Sequence, residues 1–129
     1  MSPVDLRDIL EKDWQKTVRD LAARLGYRRA YHTYDSRRSD TGFPDLVLVR
    51  DRVVFLELKR EEKHCTQTQL EWIAALHAAG ADVYVVRPRN FDALAAALGP
   101  RSTSAYERGR RELLAELDAE LQRGERRAA

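Results

Sequence analysis

One cysteine, Cys65, stands among 129 residues, which excludes an intramolecular disulfide and a cysteine-based zinc site and suits a reducing compartment. No apolar run approaches the roughly 20 residues of a membrane helix, and residues 2–12 lack the apolar stretch of a secretory leader, so the expected location is cytoplasmic. A glycine-rich phosphate loop is missing too, which argues against nucleotide-driven chemistry. The three histidines, His32, His64 and His77, share no short spacing and read as satisfied or exposed side chains rather than metal ligands. An excess of one charge is also lacking: 23 basic against 21 acidic residues leave +2, a balance that selects no class of partner. With 43% hydrophobic residues, the chain suits one domain with a modest core.

Charge is informative only locally. Between Arg24 and Arg38 there are five arginines and a single acid, Asp35, a patch suited to phosphate contacts or simply to solvated surface. Ahead of it, Leu10, Trp14, Val18, Leu21 and Leu25 recur at helical spacing up to Gly26, predicting an amphipathic helix over residues 4–25. Glu11, Gln15 and Arg19 form a row beside that stripe. Residues 27–34 read as a strand, and residues 35–42 as a polar loop. Thr66 is a plausible N-cap for a helix carrying Leu70, Ile73 and Leu76, ended by Gly80. Val83 to Val86 reads as a buried strand, parallel to the strand before that helix through a right-handed crossover. A short helix over residues 91–98 leads to a boundary at Gly99-Pro100. Beyond it, residues 106–121 form a charged helix with leucines on a narrow stripe, which either packs on its own domain or makes a dimer contact.

The chemistry concentrates between residues 42 and 59. Gly42-Phe43-Pro44-Asp45 opens an apolar run, a charged turn follows, and a second apolar run ends in Glu57-Leu58-Lys59. Alternation along a strand puts Phe55, Glu57 and Lys59 on one face. If Arg50-Asp51-Arg52 is a three-residue loop, Val49 pairs with Val53 and Asp45 falls opposite Glu57 on that face. A two-residue loop would send Asp45 to the other face.

Two carboxylates on adjacent strands make a hard oxygen site that favours magnesium or manganese over zinc. Such an ion polarises a phosphoryl oxygen, and Lys59 is placed to orient or deprotonate an attacking water or to offset charge on the phosphate. Phosphodiester hydrolysis is the coherent reaction. Taken singly, Asp45 reads as a strand-entry acid and Glu57 as an ion-pair partner. Taken together, an acid and a lysine in an apolar strand cost desolvation unless paired or functional.

Pro44-Asp45 with Glu57-Leu58-Lys59 resembles the name-giving motif of the PD-(D/E)XK nuclease superfamily, and the chain resembles its VRR-Nuc branch as found in small stand-alone phage and bacterial proteins. Glu11-Lys12-Asp13-Trp14-Gln15 resembles the first-helix segment, residues 32–38 the segment leading into the motif, and Thr68-Gln69-Leu70-Glu71-Trp72 the glutamine-bearing helix after it. These segments cover residues 8–98. The resemblance implies an α/β fold, a restriction-endonuclease-like mixed sheet flanked by helices, over residues 1–99. Residues 100–129 would be an extra C-terminal helical tail, a candidate oligomerisation element in which no family feature is recognised. It implies a Mg2+- or Mn2+-dependent deoxyribonuclease in a bacterial or phage-infected cell. Glu11, Asp45, Glu57 and the Leu58 carbonyl would be metal ligands; Asp45, Glu57 and Lys59 would be catalytic, with Gln69 in support. Arg28, Arg29, His32, Ser36, Arg37 and Arg38 are the expected contacts to DNA, duplex or branched. Small stand-alone members resemble homodimers that cut four-way (Holliday) junctions. The alternatives are a non-catalytic DNA-binding module and a nuclease subunit whose partner reads the substrate.

Overall fold

Three short runs rich in valine and leucine and one more polar strand pair side by side into one mixed sheet. In the computed structural model, which describes residues 4–33 and 41–128, the strands are β1 (Arg29–His32), β2 (Leu46–Val49), β3 (Val53–Leu58) and β4 (Asp82–Val86). Their spatial order follows the chain. β1, β2 and β3 are antiparallel neighbours, while β3 and β4 are parallel. The parallel pair is joined by α2 (Gln67–Ala78), the crossover that two parallel strands require. Val49 pairs with Val53 and Leu46 with Leu56, so the hairpin turns on three residues.

That register divides the core. Leu46, Leu48, Val54, Leu56, Leu58, Tyr84 and Val86 are buried on one face, against Trp14, Val18 and Leu21 of α1 (Glu11–Arg24) and Leu94 of α3 (Phe91–Ala97). The other face carries Phe55, Val83 and Val85, covered by Leu70 and Ile73 of α2. The longest helix, α4 (Ser104–Ala128), reaches both layers, with Leu113 buried in the first cluster and Leu117 in the second. It approaches α3 closely: a Cβ on Gly109 would lie 2.5 Å from the Ala93 carbonyl oxygen and 2.8 Å from the Ala96 Cβ.

A buried polar cluster ties α4 to the segment after β3. Glu120 accepts from the Cys65 N–H (2.7 Å) and the Arg87 guanidinium (3.0 Å), with the His64 Nδ1 at 3.2 Å. Burial alone would raise its pKa, but the Cys65 N–H, His64 and Arg87 hold the carboxyl below its ordinary range. Arg87 also donates to the Lys63 carbonyl at 2.7 Å. The chain leaving Lys59 is thus anchored on the helix beyond Gly99.

Three element boundaries differ from the sequence expectation. The first helix begins at Glu11, behind a 3-10 turn at Leu6–Asp8. Between them residues 9 and 10 are extended, held by the Arg60 Nε donating to the Ile9 carbonyl at 3.0 Å. Leu10, expected to open the buried stripe, is 49% exposed. The first strand is shorter than residues 27–34, because Tyr27 is buried before it begins: its hydroxyl donates to the Leu98 carbonyl at 3.1 Å and accepts from the Arg52 Nε at 2.9 Å. The tail helix is longer than residues 106–121, starting where the Thr103 hydroxyl accepts from the Tyr106 N–H at 3.1 Å.

Candidate active site

The hairpin register, continued one residue beyond β2, sets Asp45 opposite Glu57. Asp45 is held at several atoms. Its carbonyl accepts from the Thr33 N–H at 2.8 Å, the preceding Pro44 carbonyl accepts from the Thr33 hydroxyl at 2.6 Å, and its own Oδ2 accepts from the Leu58 N–H at 2.8 Å. Thr33, just beyond β1, thus holds the backbone at Asp45 while Leu58 of β3 holds the carboxylate, so the residue is fixed relative to both strands.

The segment before it is pressed onto α2. Gly42 has φ +89°, and a Cβ there would lie 2.6 Å from the Thr68 carbonyl carbon and 2.8 Å from the Gln69 nitrogen. Only glycine suits both the left-handed backbone and the close approach. Phe43 fills the next gap, edge-on to Phe55 (6.1 Å between centroids) and to Trp72 (5.1 Å). The start of α2 is rigid in turn, since Thr66 and Gln69 form a reciprocal capping box. Gln69 Oε1 accepts from the Thr66 N–H at 2.9 Å, so this side chain supports the site through the helix start that Gly42 rests on.

Glu57 is 1% exposed, and its Oε1 has no hydrogen-bond partner among the described residues. Its Oε2 lies 3.9 Å from the Lys59 Nζ, beyond hydrogen-bond reach. Burial, then the Asp45 carboxylate, push the Glu57 carboxyl up to about 10; Glu11 adds to the rise and Lys59 offsets it only in part. Two acids this close, one of them dry, require a proton or a cation between them.

Behind them the Cys65 thiol is buried, and burial followed by the charges of Glu57 and Glu120 pushes it up to about 12. That state is unsuited to a nucleophile. On the flank, the Trp14 Nε1 donates at 3.2 Å to the Val86 carbonyl, which also accepts from the Lys59 N–H at 3.0 Å. α1 is thereby fastened beside Lys59.

Asp45, Glu57, Leu58 and Lys59 come together. Glu11, exposed as the first residue of α1, acts on Glu57 through its charge but does not complete a cluster. Among the described residues no three His, Cys, Asp or Glu side chains gather into a set able to hold an ion. Arg29 lies on the sheet face of the acids, in register with Val49, whereas His32, opposite Leu46, lies on the other face. Arg28 is exposed ahead of β1, and Ser36, Arg37 and Arg38 fall outside the described residues. Thr33, Gly42 and Trp14 were not singled out as positioning residues from the sequence. The glycine before Phe-Pro-Asp was the one readable signal among them.

The donor set nevertheless fits a hard divalent cation. Magnesium binds through one or two carboxylates and keeps several waters, and the unpaired Glu57 Oε1 facing a second carboxylate is an oxygen that such an ion would satisfy. A model of the VRR-NUC domain matches residues 5–90, two-thirds of the chain, which takes in α1, the whole sheet and α2. No curated protein and no solved structure matches the chain.

Proposed function

The chain belongs to the VRR-NUC domain family, and on that premise we propose that it is a divalent-metal-dependent endonuclease hydrolysing DNA phosphodiester bonds. The observation that carries the reading is the buried Glu57 carboxyl beside the half-buried Asp45, with Lys59 at the edge. Asp45, Glu57 and the Leu58 carbonyl would hold Mg2+ or Mn2+, with Glu11 contributing from the rim. The ion, when bound, polarises the phosphoryl oxygen and lowers the pKa of a water. Asp45 is oriented for that task by Thr33 and by the Leu58 N–H. Lys59, its side chain 15% exposed, orients the attacking water and offsets the charge that builds on the phosphate. Gln69 is a positioning residue acting through the α2 cap.

Nicking of supercoiled plasmid with Mg2+, Mn2+ or EDTA tests the reading. Wild type should cut only with metal, and Asp45→Asn should not cut while keeping the wild-type circular dichroism spectrum. Cutting in EDTA, or by Asp45→Asn, overturns it. The finer reading, a homodimer cutting four-way junctions, rests on the family resemblance alone. Sedimentation of the free protein and of its complex with a junction decides it, a monomer in both cases being the contrary result.

A further inference from the structure

Beside the site, α1 and the segment entering β1 enclose a groove of about 560 Å3. Lys12, Gln15, Lys16 and Arg19 line it from the helix and Arg28 from the opposite wall. Its one acid, Asp20, is engaged by Lys16 at 2.8 Å. Among the described residues Lys12, Arg19 and Arg28 form no salt bridge, and all four cations are exposed. Four positive charges against one negative, in a groove without an enclosed apolar wall, suit an extended polyanion rather than a small ligand.

Direction distinguishes this groove from an ordinary basic surface. Both walls lead to the carboxylates: α1 begins at Glu11, next to Lys12, and Glu11 acts on Glu57. The opposite wall runs from Arg28 through β1 to Thr33, whose N–H holds the Asp45 carbonyl. From Lys12 to Arg19 the helix advances about 10 Å, roughly three base-pair steps of a DNA strand.

We propose that this groove is a track for the nucleic-acid backbone, in which Lys12, Lys16, Arg19 and Arg28 hold the phosphates flanking the one to be cut. The proposal rests on the nuclease reading for its choice of polyanion. Fluorescence anisotropy of a labelled duplex in EDTA, over a salt series, tests it without requiring cleavage.

Replacing all four cations by alanine should weaken binding at least about tenfold near 0.15 M salt. It should also make the log–log salt slope shallower by about 3.6, at 0.9 per lost contact. A control replacing Arg108, Arg111, Arg123 and Arg126, all exposed on α4, removes the same charge elsewhere and should change the slope by less than one. Equal slopes for wild type and the groove variant, or an equal loss in the control, would overturn the proposal. Metal-dependent cutting by wild type with an unchanged slope removes the track alone. Loss of slope in the variant of a protein that never cuts leaves the track and removes the nuclease reading.

Discussion

Glu57→Gln should make the metal-free protein more stable, because the wild-type carboxyl is buried where ionisation is opposed from several sides. The group titrates near 10 in the folded protein against an ordinary 4.5. The folded state therefore keeps a proton that the unfolded chain releases as pH rises above 4.5. The contribution to stability is fully present below pH 4.5 and is lost steadily as pH rises toward 10. At about 1.4 kcal/mol per pH unit, roughly 3 kcal/mol has gone by pH 7, and this figure holds for any folded value above 7. Glutamine is nearly isosteric and does not titrate, so the variant should regain most of that loss, a rise in Tm of roughly 10 °C for a domain of this size. Urea unfolding in EDTA at pH 5 and pH 8 is the assay. Wild type should lose stability between the two by a margin that Glu57→Gln lacks. Adding Mn2+ at pH 8 should stabilise wild type and leave the variant unmoved. A Glu57→Gln protein less stable than wild type at pH 8 in EDTA, or one with the same pH dependence, refutes the reasoning.

The other predictions concern how the site is held. Gly42→Ala brings a Cβ to 2.6–2.8 Å from the backbone of α2 at a left-handed φ and should cost roughly 2 kcal/mol or more in urea unfolding. It should also abolish cutting by moving Asp45; full activity would show that the close approach is dispensable. Glu120→Ala leaves the buried Arg87 guanidinium with Glu116, at 3.5 Å, as its remaining carboxylate and should cost about 3 kcal/mol, the low end for a broken buried pair. Arg87→Met with Glu120→Leu should cost less than the single change, and the reverse order would remove the pair from the account of how α4 is held. The Cys65 thiol, buried and pushed up to about 12, should resist iodoacetamide at pH 8 in the native protein and react at once in urea. Rapid native labelling, followed by mass spectrometry, would contradict its burial behind Glu57.

The hairpin was legible because its constraints are local and parity-based. A three-residue turn fixes the pairing sum, which the observed register bears out with Val49 opposite Val53, and one step beyond that register sets Asp45 opposite Glu57. The crossover was legible for a similar reason, Thr66 and Gly80 marking the ends of a helix between two apolar runs. What escaped depends on partners distant in sequence. Residues 9 and 10 lie within a helical pattern, yet Arg60, some fifty positions later, holds them extended. Arg87, Glu120 and His64 are ordinary surface residue types, and nothing in their spacing announces that they meet, with the arginine and the acid buried. The same holds within the site. The charge pattern marked Asp45, Glu57 and Lys59, whereas Thr33 and Trp14 act through hydrogen bonds to backbone carbonyls, two from the threonine and one from the indole, which no residue spacing encodes. Arg29 and His32 stand three residues apart in one strand, an odd separation, so opposite faces take them.

The most direct test of the central claim is cleavage of labelled duplex, single-stranded, flap and four-way-junction DNA with Mg2+, Mn2+ or EDTA, by wild type and by Lys59→Ala. Metal-dependent strand cuts by wild type, lost in Lys59→Ala while DNA binding persists, are the predicted result. Salt-sensitive binding with no cut on any substrate under either metal would contradict it and leave a nucleic-acid-binding module on the same sheet.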